Sequence, residues 1–175
     1  MAATGGSGDI TLNAASDILQ NSGNVTAVGA GAIDYNASTG TADGVITMAS
    51  GTTASSGSGL VTMDAKGNIS LATVSTAGDA KVTTTAGAII DNLTGEAANI
   101  TADEVALRAG TGIGDGVAAN VNDIDTDINT LAAVTDSGDI NIHNVGALTI
   151  GAFDGLSGVT ITDSANANPG TDHIT

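Results

Sequence analysis

A run of alternating aspartates, Asp123, Asp125 and Asp127, is the part of this sequence that comes nearest to a metal site. Their spacing is the one that opens an EF-hand loop, where oxygen ligands to calcium recur at every second position. The rest of that loop is absent, because Ile128 stands where the glycine is required and Val134 where the bidentate glutamate is required. We therefore expect solvated carboxylates on a strand and loop. No metal ligand is assigned, and calcium is the cation to test.

A glycine-rich segment offers a second, weaker calcium motif. Gly112-Ile113-Gly114-Asp115-Gly116 is similar to one half-turn of a calcium β-roll, but such sites are built from tandem copies and the sequence has one. With Gly110, the segment also begins like a phosphate-binding loop. Asp115 occupies the place of the third glycine, however, and no Lys-Ser/Thr pair follows. We expect a glycine corner between structural units and no bound cofactor.

Histidine occurs twice, and only one copy lies in a patterned segment. His143 follows Ile140 and Ile142 in an alternating run, which places its ring on the solvent side of a strand. Such a ring can serve as a metal ligand or a pH switch. Without a second ligand beside it in the sequence, we interpret it as a solvent-facing strand residue. His173 lies near the end of the sequence and carries no assignment.

The scarcity of basic residues disfavours catalysis. The chain of 175 residues has 19 acidic side chains and 3 basic ones, Lys66, Lys81 and Arg108, for a net charge of −16. Polysaccharide lyases and hydrolases need clustered carboxylates, with Lys or Arg nearby where the sugar is acidic. No Asp-Asp, Asn-Thr-Asp or Gly-His-Gly motif occurs, and no serine lies in a nucleophile elbow. We expect no enzymatic activity and assign no catalytic residue.

The same charge balance limits the partners. Nucleic acid and anionic membrane surfaces attract clustered Lys and Arg, which this chain does not have. No apolar run approaches the length of a membrane-spanning helix, so we expect no membrane insertion. An acidic surface keeps a β-rich chain in solution and attracts divalent cations.

A repeated pentapeptide, Gly-x-apolar-polar-apolar, organises the chain. Copies begin at Gly8, Gly23, Gly44, Gly59, Gly67, Gly78, Gly138 and Gly146, and a copy shifted by one begins at Gly158. Apolar residues two apart point to the same side of a strand, and glycine permits the corner between strands. One unit is too short to bury its own apolar side, so the units must stack along an axis.

The composition predicts what such a stack contains. Hydrophobic residues make up 41% of the chain, yet it has one Phe, one Tyr and no Trp. The core must therefore be narrow and filled with small aliphatic side chains. The spacing of the copies is uneven, which predicts irregular coils and argues against a strict hexapeptide solenoid. Outward threonines, as at Thr83-Thr84-Thr85 and Thr160-Ile161-Thr162, could bind ice only in a regular ladder, which uneven spacing disfavours.

Three segments depart from the template. The Ser/Thr/Gly-rich stretch from Gly51 to Gly59 indicates a protruding loop. In Asn120–Val134 the apolar residues have helical spacing while the aspartates alternate as in a strand, and we predict a coil with a longer loop. The residues from Ala165 onward, including Pro169, indicate a frayed tail or the start of the next coil.

The order of several segments is similar to a known family. Leu107–Gly114, Thr130–Thr135, Gly138–Asn144 and Gly146–Ile150 follow one another as in the repeats of filamentous-haemagglutinin-type bacterial adhesins. The resemblance covers most of the chain and is strongest over 67–162. It implies a right-handed parallel β-helix, export to the cell surface and a role in adhesion. Neither the Asn-Pro-x-Gly motif of the family's secretion domain nor an Arg-Gly-Asp tripeptide occurs, and the first absence is typical of an internal fragment.

These observations predict an all-β chain folded as a single-stranded, right-handed parallel β-helix with irregular coils, about five to eight in number. Residues 1–164 form the helix segment and 165–175 the tail. We expect a stiff, adhesive segment of a large secreted bacterial surface protein, whose targeting signal lies outside this sequence. Its partners would be a cell-surface protein or glycan receptor, with self-association through sheet edges. The alternatives are a calcium-stabilised extracellular solenoid and, less favoured, a polysaccharide-active enzyme.

Overall fold

The chain is a parallel β-helix in which three short strands make up each coil. The computed structural model describes residues 7–40, 43–114 and 123–162. All sheets that stack along the axis are parallel, and the described residues contain no helix. The predicted all-β solenoid is therefore confirmed. Consequently, no described segment forms a helix long and apolar enough to cross a bilayer.

The strands, numbered in chain order, build three faces of the solenoid. The first face holds β1 (Ile10–Asn13), β4 (Ile33–Asn36), β7 (Val61–Ala65), β10 (Ala80–Thr84), β13 (Glu104–Ala109), β16 (Thr130–Thr135), β18 (Thr149–Ile150) and β21 (Val159–Ile161). The second face holds β2 (Ile18–Gln20), β5 (Ile46–Met48), β8 (Ile69–Leu71), β11 (Ala88–Asp91) and β14 (Gly112–Ile113). The third face holds β3 (Asn24–Thr26), β6 (Thr53–Ser55), β9 (Thr73–Ser75), β12 (Ile100–Thr101), β15 (Ile124–Asp127) and β17 (Ile142–Asn144).

The coils are uneven in length but regular in register. On the first face, Ile10 pairs with Ile33, and the same row continues through Val61, Ala80, Val105 and Leu131, so successive coils take 23, 28, 19, 25 and 26 residues. The extra residues lie in the connections, such as 37–45 and 92–99. The predicted irregularity is thus confined to the corners, and the stacked strands stay aligned.

Inward-pointing aliphatic side chains fill the space between the faces. In strand β7, for example, the first and third residues, Val61 and Met63, are buried while Thr62 between them is partly exposed. One aromatic residue belongs to this core. Tyr35 is fully buried, and its hydroxyl donates a 2.7 Å hydrogen bond to Oε1 of Gln20, whose amide in turn donates to backbone carbonyls. The core is narrow and aliphatic, as the composition predicts.

Glycines at the corners allow neighbouring coils to approach closely. A Cβ atom on Gly59 would lie 2.2 Å from the carbonyl oxygen of Gly31, directly below it in the stack. Gly138 adds a second reason, because its φ is +78° and a Cβ there would lie 1.8 Å from the carbonyl oxygen of Thr111. The template glycine is therefore required at some positions by backbone contact between coils, and at others, such as Gly23 and Gly146, by a left-handed conformation.

Two segments correct or complete the sequence predictions. The expected loop at Gly51–Gly59 is wrong over its middle part, because Thr53–Ser55 forms β6 and pairs on both sides. Its small side chains suit a strand here: Ala54 fills the narrow core, and Ser56 is buried at the corner, donating to the carbonyl of Gly31. The described part of the ambiguous region, 123–134, holds strand β15 and most of strand β16, and residues 120–122 lie outside the described residues. The predicted tail, 165–175, lies outside the described residues.

A hairpin interrupts the last rung of the first face. Strands β18 and β21 both pair with β16, and between them β19 (Ala152–Phe153) and β20 (Leu156–Ser157) form an antiparallel pair. The turn has positive φ at Asp154 and Gly155, as two-residue type I′ hairpins require. The hairpin folds back over β13 and β16, and Asp154 reaches Lys81 of β10 at 2.7 Å.

The hairpin explains two buried alanines on the outer side of the first face. Ala106 and Ala132 are paired in register and point outward, yet both are almost inaccessible to solvent. They lie in the same row as Lys81, the residue that anchors the hairpin. Small side chains at these two positions let the hairpin lie flat against the face.

The copy of the template at Gly146–Ile150 is less buried than the pattern predicts. Leu148 and Ile150 are 36% and 53% exposed, although Ile150 pairs in register with Leu131. Inward side chains in a solenoid are covered by the rungs on both sides, and among the described residues no full rung lies beyond this one.

Candidate metal centre

Two adjacent rungs of the third face bring together three side chains that can bind a metal. Asp125 on β15 is the register partner of His143 on β17, and Asp123 lies just before β15. Potential ligand atoms of these three residues all lie within 4.8 Å of one another. The described residues hold no other group of three or more His, Asp or Glu side chains this close together.

Asp125 is the most buried member of this group, which we call the Asp–Asp–His cluster. It is 4% exposed, although the alternation of the strand directs its side chain outward. Its Oδ1 lies 2.8 Å from Nδ1 of His143, and its backbone N–H donates to Oδ1 of the fully buried Asn99. A buried carboxylate is costly without compensating contacts. The imidazole supplies one such contact to the Asp125 side chain.

Asp123 contributes an oxygen without a partner. Its Oδ1 is excluded from solvent and accepts no hydrogen bond from any described residue. An unpaired buried oxygen of this kind destabilises the fold unless a proton, a donor or a cation meets it. Asp123 therefore adds an unsatisfied negative group at the edge of the Asp125–His143 pair.

The electrostatic field at the Asp–Asp–His cluster is strongly negative. The pKa of His143 is raised above its ordinary value of 6.5, and the largest cause is the hydrogen bond to Asp125. Desolvation is the second-largest effect and lowers the pKa, while the charges of Asp125, Asp123 and Glu96 raise it further. The ring is 57% exposed. The site therefore favours a cation, whether a proton on the imidazole or a metal ion.

The candidate site residues found in the sequence do not all lie together in the structure. The calcium-like run does not converge, because Asp127 is exposed and takes no part in the cluster, and Ile128 packs in the core. His143 is exposed on its strand, as predicted, but it has carboxylate neighbours that its local sequence does not reveal. The expected glycine corner is wrong at Gly112, which belongs to strand β14 and pairs with Ala88. Gly114 follows that strand with a positive φ, whereas Asp115, Gly116 and His173 lie outside the described residues.

The three basic residues are dispersed. Lys66 pairs with Asp43 at 2.6 Å, Lys81 pairs with Asp154, and Arg108 is exposed on β13. An open groove of about 470 Å³ between the third and first faces is lined by two carboxylates, Asp103 and Asp127. No basic residue is among its described lining, so the groove does not have the Lys or Arg that acidic-sugar chemistry requires.

Hydroxyl side chains form a regular row on the third face. Thr26, Ser55, Ser75 and Thr101 follow one another in register along four rungs. A second, parallel row holds Asn24, Thr53 and Thr73. The threonines singled out in the sequence are placed differently, since Thr84 points inward and donates to the carbonyl of Gly67. Uneven spacing along the chain is therefore compatible with an even spacing of hydroxyls in space.

Comparison with known proteins leaves the fold and these side chains as the only basis for a functional conclusion. No protein-family model, curated protein or solved structure matches the chain.

Proposed function

We propose that the chain is a structural and adhesive segment of a large, secreted bacterial surface protein. The observation that carries the proposal is the unbroken parallel ladder of the first face, which runs from β1 to β18 without a change of register. At about 4.8 Å per rung, the seven rungs of that ladder form a rod of roughly 30 Å. Such a rod can be extended by adding coils, since each coil contacts mainly its neighbours.

Attachment would use side chains on the outside of the rod. The acidic surface and the sequence resemblance to filamentous-haemagglutinin-type repeats support a cell-surface protein or glycan as the partner. Adhesion in this scheme is geometric, because a stiff rod holds its outward side chains at fixed spacing and away from the cell.

The experiment is to coat beads with the purified chain and measure their attachment to epithelial cells and to a glycan array. Beads coated with the heat-unfolded chain are the control, because they share the composition and charge but lack the rod. Attachment of the folded chain above that control is expected. Equal attachment by both preparations would reject the adhesive part of the proposal, and small-angle scattering showing no elongated particle would reject the rod.

Self-association belongs to the same proposal. Val145 and Ile150 are 60% and 53% exposed near the last described rung, next to strand edges that can pair with another chain. We expect a concentration-dependent increase in size on size-exclusion chromatography. Elution as a monomer at high concentration would count against it.

The two rows of the third face, one of hydroxyl side chains and one of Asn24, Thr53 and Thr73, favour ice binding as a second candidate. Aligned Thr and Ser side chains at rung spacing can order water on a flat surface. Replacing Thr53 with Tyr should then abolish inhibition of ice recrystallisation, while Thr47→Tyr on the second face should not. Absence of such inhibition in the unmodified chain would remove this candidate.

A further inference from the structure

We propose that the Asp–Asp–His cluster binds one divalent transition-metal ion of the Zn²⁺ class, with Asp123, Asp125 and His143 as its three protein ligands. The inference is independent of the adhesive function, since it rests on the third face alone. The metal would join β15 and β17, which are adjacent rungs.

The first support is geometric. Zn²⁺ binds imidazole nitrogen and carboxylate oxygen at about 2.0–2.2 Å, so tetrahedral ligand atoms lie about 3.3–3.6 Å apart. The ligand atoms of the cluster already lie within 4.8 Å of one another. The parallel register holds Asp125 and His143 side by side, so small side-chain rotations complete the site. The metal would take the place of the proton now shared at 2.8 Å.

The second support is the unsatisfied oxygen. Oδ1 of Asp123 is buried and has no hydrogen-bond partner among the described residues, and a cation bound by this oxygen would satisfy it. Two carboxylates and a neutral imidazole balance the charge of a divalent ion. This balance matters at Asp125, which is 4% exposed and would otherwise be a buried anion whenever His143 is neutral.

The ligand types select the class of metal. Calcium takes six to eight oxygen ligands, and this cluster offers two carboxylates and a nitrogen. Imidazole with carboxylate suits zinc and neighbouring first-row ions. The exposed side of His143 leaves room for water at the remaining coordination position. Asn99 accepts the backbone N–H of Asp125 and so orients the strand beneath its ligand.

The experiment measures Zn²⁺ binding to the full chain after treatment with a chelator. Titration calorimetry with zinc chloride should give one site per chain, and saturating Zn²⁺ should raise the melting temperature by several degrees, because the metal binds the folded state. Calcium and magnesium at the same concentration should give neither effect. In NMR spectra, the ring resonances of His143 should shift on addition of one equivalent of Zn²⁺.

Substitutions distinguish metal binding by the Asp–Asp–His cluster from non-specific binding to the acidic surface. His143→Ala and Asp123→Asn should each weaken binding more than about tenfold. Asp127→Asn, which removes a neighbouring acid outside the cluster, and His173→Ala, which removes the other histidine, should bind as the unmodified chain does. If Asp125→Asn fails to fold, the first two variants decide. Absence of binding, or binding unchanged by His143→Ala, would overturn the proposal, as would a calcium effect equal to that of zinc.

Discussion

Nδ1 of His143 lies 2.8 Å from Oδ1 of Asp125, across two rungs and 18 residues of sequence. The hydrogen bond favours the protonated ring and raises the pKa of His143 above 6.5. The folded chain therefore holds this proton more tightly than the unfolded chain. The resulting stability is complete below the unfolded pKa and is lost as the pH rises through the folded value.

We predict that an NMR titration in metal-free buffer gives a pKa for His143 above 6.5. Asp125→Asn should return it toward that value, because the amide cannot stabilise the imidazolium as a carboxylate does. Asp127→Asn serves as the control and should leave the hydrogen-bonded pair intact. A pKa at or below 6.5 in the unmodified chain would contradict the geometry.

Asp64 lies on the outer side of the first face, in register with Asn36 and Thr83. Its pKa is raised, first by desolvation and then by the charge of Asp34, while Lys81 lowers it. Because the folded state binds the proton more tightly, the ionised group costs stability at neutral pH. That cost decreases as the pH falls through the folded pKa, and it is gone below the unfolded pKa.

Asp64→Asn should accordingly raise the free energy of unfolding at pH 7 by about 0.5 kcal/mol. The gain should shrink in acid, where the native aspartate is protonated. Urea denaturation at several pH values would measure both effects. A destabilised variant at pH 7 would show that contacts of Asp64 outweigh its desolvation.

Leu107 is fully buried on β13, whereas Leu19 on β2 is 58% exposed. Leu107→Ala should lower the free energy of unfolding by about 2–5 kcal/mol, because it leaves a cavity between stacked rungs. Leu19→Ala removes the same atoms from the surface and should change it by no more than about 0.5 kcal/mol. Urea denaturation followed by circular dichroism compares the two variants. Equal effects would refute the inward direction of the Leu107 side chain on β13.

The corner glycines can be tested by adding one methyl group. Gly59→Ala would place a Cβ 2.2 Å from the carbonyl oxygen of Gly31 and should destabilise the chain by about 1–3 kcal/mol. Gly95→Ala meets no atom within 4 Å and should be close to neutral. Thermal unfolding of both variants measures the difference, and similar melting temperatures would argue against the close stacking of coils.

The β19–β20 hairpin lies over a row of small side chains, Ala106 and Ala132, on the first face. Ala132→Glu should displace β19 and β20 and speed amide hydrogen exchange in residues 151–158, because Ala132 is fully covered. Thr62 occupies the same row on β7 and is partly exposed, and the hairpin packs mainly on β13 and β16. Thr62→Glu should leave the exchange of 151–158 unchanged. Equal exchange in both variants would show that the hairpin is held by other contacts.

The alternation of apolar residues and the corner glycines predict the solenoid without tertiary information. Each pair such as Ile46 and Met48 must face the same way, and no single unit can bury it. The prediction fails where side chains are small, as at Thr53–Ser55, because hydroxyl-rich sequence suits a loop and a narrow solenoid strand equally well.

The sequence by itself determined the strand, the narrow aliphatic core and the uneven coil, since these follow from periods of two and from residue volume. Only the tertiary structure decided which coils place which side chains side by side. The register between stacked strands depends on how many residues lie in each connection, and backbone pairing between rungs sets that number. For this reason Asp123 and Asp125 meet His143, hydroxyls from four coils align, and Lys81 meets Asp154, although none of these neighbours can be found by spacing along the chain.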